Sequence, residues 1–167
     1  MITMWTDGSA SPNPGPGGFA VLSSTGEPLA LGSARQTSNI KMEASALIAA
    51  MEYASGQPCE IYTDSEFWIN VLTKWAPKWE KNGWHKKPLP KNRDGSLNIS
   101  PEEAESIPSD IKNLDLVKKA YSLYQAGNTA LIFTRGHVGT KLNEAADKWA
   151  NKARNEHINE IKEGVSL

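Results

Sequence analysis

The chain has 167 residues, of which 39% are apolar and 22% charged, with a formal net charge of −1 at neutral pH. This make-up fits one soluble globular domain over residues 1–167, large enough to bury a core, and it excludes the disordered and fibrous classes. A single cysteine, Cys59, excludes an internal disulfide framework or a cysteine-rich zinc site and points to a reducing, cytoplasmic setting, and no apolar run approaches the ~18–20 residues of a membrane span.

Strand-like sequence begins at once, with no room for a signal peptide, and Ile2–Thr6 alternates up to a turn at Asp7-Gly8. Ser11 to Gly18 holds three prolines and three glycines in eight residues, and is expected to be a fixed loop. Phe19–Ser23 and Leu29–Arg35 predict a hairpin around Thr25-Gly26. A helix is expected from about Ile40 to Ser55, capped by Ser38 or Asn39, with Glu43 at the head of an inward stripe that continues through Leu47, Ala50, Met51 and Ala54. Cys59–Thr63 predicts a fourth strand with Asp64 at its carboxyl end, and Ser65 caps a helix whose stripe is Phe67, Trp68, Val71, Leu72 and Trp75. Residues 76–108 break the regular pattern. Beyond them lie an amphipathic helix (Ile111, Leu114, Val117, Tyr121, Tyr124), an apolar run at Ala130–Thr134 that predicts a buried fifth strand, and a last helix capped by Asn143 and packed through Ala146, Trp149, Ala150 and Ala153. A tail over 158–167 is expected to fray. The order of elements predicts an α/β domain with a mixed sheet flanked by helices, and no internal repeat.

Four carboxylates stand in places where surface charge is not the natural reading. Asp7 and Asp64 sit where strands run out into small polar turns; Glu43 and Asp147 sit on helices among apolar neighbours. A carboxylate held against a packed face costs several kcal/mol unless something cationic neutralises it. Taken singly, each has an ordinary role: a turn residue, a helix-start residue, a solvated helical acid, or a first-turn acid favoured by the helix dipole. Taken jointly they suggest a metal site at the carboxyl ends of strands. Oxygen donors with no nearby cysteine or histidine pair suit hard divalent cations, magnesium or manganese, and two such ions serve in-line phosphoryl displacement.

The charge is unevenly spread. Lys74, Lys78, Lys81, Lys86, Lys87, Lys91 and Arg93 face only Glu80 within residues 74–93, a balance of +6, while 94–115 carries six acids against Lys112. The basic stretch predicts a polyanionic partner.

Six segments carry a resemblance: Thr-Asp-Gly-Ser (6–9), Asn-Pro-Gly-Pro-Gly-Gly (13–18), Lys-Met-Glu (41–43), Tyr-Thr-Asp-Ser (62–65), Gly-His-Val-Gly (136–139) and Asn-Glu-Ala-Ala-Asp (143–147). In this order and at these spacings over residues 1 to about 155, the chain resembles the type 1 ribonuclease H family. The resemblance implies a five-stranded mixed sheet in the order 3-2-1-4-5 with strand 2 antiparallel, and an endonuclease that hydrolyses the RNA strand of RNA–DNA hybrids by two-metal-ion catalysis, leaving 5′-phosphate and 3′-hydroxyl ends. It implies that Asp7, Glu43, Asp64 and Asp147 hold two Mg2+ ions, for which Mn2+ substitutes, and that His137 assists turnover by moving protons or easing product release. It implies that Asn13, Ser38 and Asn39 contact the hybrid's minor groove and backbone, where ribose 2′-hydroxyls donate and accept hydrogen bonds. Residues 74–93 resemble a basic protrusion that grips the DNA strand through Lys74, Lys78, Lys81, Lys86 and Lys87, with Trp75, Trp79 and Trp84 as further contacts or as packing that pins the element. The acidic tract at 94–110 is longer than the family's connection, Glu80 interrupts the basic run, and Val117 stands where many members place an aromatic. The expected partner is a hybrid duplex, with no membrane, and the expected state a monomer. Two other readings are a non-catalytic hybrid-binding module, which would normally lack one of the acids, and a DNA-cutting relative, against which Lys-Met-Glu and Asn-Pro-Gly-Pro-Gly-Gly argue. An aspartic protease would need paired Asp-Thr/Ser-Gly words that are missing here.

Overall fold

A computed structural model describes residues 1–135 and 141–161. Its first three strands, β1 (Ile2–Ala10), β2 (Gly15–Ser23) and β3 (Pro28–Thr37), form an antiparallel meander. β4 (Cys59–Thr63) pairs parallel with β1, and β5 (Thr129–Phe133) parallel with β4. These five follow the order 3-2-1-4-5 with β2 antiparallel to both neighbours, and a short β6 (Glu160–Ile161) adds a sixth strand parallel to β3. The expected five-stranded sheet is thus corrected to six; residues 158–161 of the expected tail bond to β3, and 162–167 lie outside the described residues. Ser33 Oγ donates to the Ile158 carbonyl at 2.8 Å, Asn159 Nδ2 to the Leu31 carbonyl at 2.8 Å, and Arg35 Nε meets Glu160 Oε1 at 2.6 Å. So short a strand leaves no period-2 signal in a sequence.

Helix α1 (Asn39–Ala54) starts where Ser38 Oγ accepts from the Lys41 amide at 3.2 Å. α2 (Glu66–Asn70), a π-turn over Val71–Trp75 and α3 (Ala76–Lys81) form one continuous helical run. The Ala76 amide bonds to the Val71 carbonyl, five residues back. Pro77 follows and has no N–H with which to close an ordinary bond to Thr73, which is why the ladder widens there. Helical structure therefore continues past residue 76, where the sequence pattern lapses. Within the acidic tract lies a further exposed helix, α4 (Pro101–Ser106), capped by Ser100. α5 (Leu114–Ala126) and α6 (Lys141–Asn155) complete the set.

Register decides which helix covers which face. Gly8 pairs with Phe19 and Ser9 with Gly18, so the two pairs point to opposite sides of the sheet. A Cβ on Gly8 would lie 2.7 Å from the Glu43 amide nitrogen, which puts α1 on the Gly8 face. A Cβ on Gly18 would lie 2.6 Å from the Arg154 nitrogen, which puts α6 on the other. The fully buried stripe Ala146, Ala150 and Ala153 lets α6 come this close. The glycines near residue 18 are therefore strand residues under a helix, and the expected fixed loop shrinks to the few residues between Ala10 and Gly15. The main core lies on the α1 face, where Met4, Leu47, Ile61, Trp68 and Leu72 are fully buried together with the α5 residue Val117.

Two further expectations change. β5 is the last strand of the sheet and only partly covered, with Phe133 51% exposed, because a continuous apolar run does not distinguish an edge from a centre. Asn143 lies inside α6, not at its cap; it is buried, and its Nδ2 donates to the Arg135 carbonyl at 3.1 Å.

Candidate active site

The parallel ladder of β1 and β4 ends at the pair Trp5 and Tyr62. Asp7 lies two residues beyond the first and Asp64 two beyond the second, so register carries both acids to the same level past the ladder. Thr6 Oγ1 donates to the Tyr62 carbonyl at 3.2 Å, and the Trp5 and Tyr62 rings stack at 4.5 Å, which holds the two strand ends together. Glu43 arrives in the second turn of α1, brought down on Gly8 by the close approach described above. Asp147 arrives on α6, which covers the face to which Asp7 points.

The four acids are linked electrostatically in a line. Asp7 is 6% exposed, and burial, followed by the charges of Asp64 and Asp147, pushes its pKa up to about 8. Burial pushes Glu43 up to about 7; a hydrogen bond from Ser65 Oγ to Glu43 Oε2 at 2.9 Å opposes the rise and the Asp64 charge adds to it. Asp64 is therefore the shared neighbour of Glu43 and Asp7, and Asp7 the neighbour of Asp147. Asp7 Oδ2 is buried without a hydrogen-bond partner among the described residues. A buried, unpartnered carboxylate oxygen beside other carboxylates is the condition that a cation relieves. The donor set is all oxygen, which fits a hard divalent ion. Among the described residues, no three acids, histidines or cysteines close into a ready-made metal cage, so a cation would have to draw these side chains inward.

Ser65 is the residue that sequence reasoning saw only in part. It caps α2, accepting from the Trp68 amide at 3.2 Å, while its hydroxyl donates to Glu43. Trp68 in turn donates from Nε1 to the Ile40 carbonyl at 2.8 Å, which ties the start of α1 to α2. Its place directly after Asp64 was the only available signal.

The expected substrate contacts fall into two groups. Asn13 Oδ1 accepts from the Asn39 amide at 3.1 Å, and Asn39 Oδ1 accepts from the Ala10 amide at 2.7 Å, so these two residues and the Ser38 cap brace the β1–β2 connection against the head of α1. The basic residues Lys74, Lys78, Lys81, Lys86 and Lys87 are all exposed on the α2–α3 run and the turn after it. The tryptophans between them are half-buried against the main core: Trp75 lies between Phe67 and Trp79, with ring centres 5.8 and 6.1 Å away, and Trp84 meets Tyr121 edge-on at 6.0 Å. They pin the basic element to the domain. His137 lies outside the described residues.

The family model described as RNase H matches residues 1–155. A ribonuclease H of Acidiphilium cryptum is 31% identical over 164 residues, covering 96% of this chain and 90% of its own. A ribonuclease H of Methylococcus capsulatus is 34% identical over 159 residues, covering 93% of this chain and 90% of its own. The crystal structure of LC9-RNase H1, described as a type 1 RNase H with the type 2 active-site motif, superposes with a TM-score of 0.66 at 20% identity over 93% of this chain and 72% of its own, which supports the fold.

Proposed function

This chain belongs to the RNase H family, and we propose that it is an endonuclease that hydrolyses the RNA strand of RNA–DNA hybrids. In the reaction, water adds to phosphorus and the bond to the 3′ oxygen breaks, leaving a 5′-phosphate and a 3′-hydroxyl. The observation that carries the reading is Asp7: buried, unpartnered at Oδ2, and crowded by Asp64 and Asp147 at the end of the β1–β4 ladder. Asp7, Glu43, Asp64 and Asp147 would hold two divalent cations, Mg2+ or Mn2+. Such ions supply an acidified water and stabilise charge on the departing oxygen.

The protein's own residues do the rest. Ser65 fixes the orientation of Glu43 through the 2.9 Å bond to Oε2. Asn13, Ser38 and Asn39 stand at the head of α1 as short polar groups suited to ribose 2′-hydroxyls, which distinguish RNA from DNA. Lys74, Lys78, Lys81, Lys86 and Lys87 neutralise DNA-strand phosphates and set the register without reading sequence. His137, from its place in Gly-His-Val-Gly, moves a proton or eases product release. No described helix is long and apolar enough to cross a membrane, and we place the enzyme's action in the cytoplasm, as a monomer.

End-labelled hybrid, RNA duplex and DNA duplex, each incubated with and without magnesium, test the reading. Cleavage of the hybrid's RNA strand alone, and only with metal, is the expected result. Binding of hybrid without cleavage would leave a non-catalytic module, and cutting of the DNA duplex would indicate the DNA-cutting branch of the fold.

A further inference from the structure

The acidic tract that leaves the basic stretch at Asp94 returns to it at Ser109 and Asp110. Ser109 Oγ donates to the Trp84 carbonyl at 2.5 Å, and the Lys86 amide donates to Asp110 Oδ1 at 2.8 Å. The Ile111 amide donates to Ser109 Oγ at 3.2 Å, so the hydroxyl is fixed from the far side, next to a buried residue. Two residues of the tract thus grip two of the basic stretch, Trp84 and Lys86. His85, between the gripped positions, is only 8% exposed, whereas Lys86 and Lys87 beside it are exposed.

The backbone held in this grip is unusual. Gly83 has φ +68°, and Trp84 follows with φ +67°, a left-handed conformation that a residue with a Cβ adopts only when its surroundings over-determine it. The Trp84 amide bonds to the Trp79 carbonyl at 2.6 Å, its ring lies against Tyr121, and Lys118 Nζ sits 5.6 Å from its ring centre. The Ser109 and Asp110 bonds add the constraint on the carboxyl side of Trp84. The Lys86 amide keeps the Asp110 carboxyl below its ordinary range, so the acceptor is charged at neutral pH.

We propose that Ser109 and Asp110 are positioning residues, a clasp that fixes the Trp84–Lys86 turn so that Lys86 and Lys87 are presented to the phosphate backbone of a bound hybrid. The inference rests on the hybrid-binding reading of the basic stretch and gives the far end of the acidic tract a task within it. A preset turn loses less freedom when substrate binds than a loose one would. Asp110 closes the far end of the acidic tract onto this turn: its carboxylate accepts from the Lys86 amide and also faces the charges of Lys86 and His85.

The test is a double-mutant cycle on the full chain. Ser109→Ala/Asp110→Ala is measured in the parent and in a Lys86→Ala/Lys87→Ala background, with hybrid as substrate and salt varied. In the parent, KM should rise several-fold at moderate salt, and the plot of log affinity against log salt should become shallower by up to about 1.8, the value for two duplex phosphates. The maximal rate should stay within about twofold, since only binding is touched. Ser109→Thr and Asp110→Asn, which keep the hydroxyl donor and the carbonyl acceptor, should restore KM, and this control separates the clasp from a failure to fold. In the background lacking both lysines the clasp variant should add nothing further. An equal effect in both backgrounds, a lowered maximal rate at unchanged KM, or an Asp110→Asn variant as impaired as Asp110→Ala would each overturn the clasp. An unchanged salt slope in the lysine variant alone would overturn both the clasp and the reading of the basic stretch on which it rests.

Discussion

At the scale of single residues, Asp7 carries conflicting demands. It is 6% exposed and lies beside Asp64 and Asp147, so without a counter-ion its ionised form is disfavoured and its pKa rises from 3.8 to about 8. Asp7→Asn keeps the shape and removes the charge. Cleavage is expected to fall by several orders of magnitude while hybrid binding persists, because phosphate contacts elsewhere dominate affinity; Asp64→Asn should behave alike. Near-normal turnover by either variant would sink the four-carboxylate site. Stability follows from the same shifts. Both Asp7, at about 8, and Glu43, at about 7, are raised above their ordinary values of 3.8 and 4.5. A raised carboxyl leaves the fold unpenalised below its unfolded pKa and costs stability as pH climbs toward the folded one. In EDTA the melting temperature should therefore decline from about pH 4 to about pH 8 and level off above. Magnesium should restore more at pH 8 than at pH 5, and Asp7→Asn should flatten the decline. A melting temperature that rises over this range in EDTA, with no metal effect at pH 8, would contradict the charge-crowding account.

At the scale of elements, the site depends on how closely two helices approach the sheet, and both approaches pass over glycine. Gly8→Ala would put a Cβ 2.7 Å from the Glu43 amide nitrogen, so the head of α1 must shift. Overpacking of this kind costs about 1–3 kcal/mol, and here it displaces Glu43 as well. Both a lower melting temperature and a reduced maximal rate are expected; full activity at reduced stability would mean that the position of Glu43 tolerates the shift. Such contacts also explain what the sequence could and could not reveal. β4, the first half of β1, the Ser38 cap and the stripe of α1 were legible because alternation, capping and a 3.6-residue period are local signals; the turn expected at Asp7-Gly8 is instead strand, since β1 stays paired with β2 through Ala10. The strand character of Gly15–Gly18 was hidden, because glycines needed for close helix packing look the same as glycines of a loop. β6 was hidden because its bonds join residues more than a hundred positions apart. Ser65 was legible as a cap but not as the partner of Glu43, since that 22-residue separation closes only in three dimensions. The helical run through Lys81 was masked by Pro77, which widened the ladder to a hydrogen bond spanning five residues instead of ending the helix.

At the scale of the whole molecule, the near-zero net charge conceals a separation between a lysine-rich surface, which we assign to phosphate, and a carboxylate cluster, which we assign to cations. The carboxylates are clustered at the end of the β1–β4 ladder, while the exposed lysines are carried by the α2–α3 run and the turn beyond it, anchored by half-buried tryptophans. Separating the two avoids neutralising the acids with lysine side chains that would compete with a metal. It also makes binding and chemistry separable by mutation. Lys81→Ala/Lys86→Ala/Lys87→Ala leaves every proposed metal ligand in place. If these lysines contact the DNA-strand backbone, each lost phosphate contact should make log affinity against log salt shallower by about 0.9, so the triple variant should differ by about one to three units. Glu80 and the acids after Arg93 lie in the same region of the chain and reduce the net field, which favours the lower part of that range. KM should rise at moderate salt while the maximal rate at saturating hybrid hardly moves, because binding common to ground state and transition state has been removed. A salt slope equal to the parent's would show the lysines to be solvated surface, whereas a fall in maximal rate at unchanged KM would show that the basic element supports the chemistry itself.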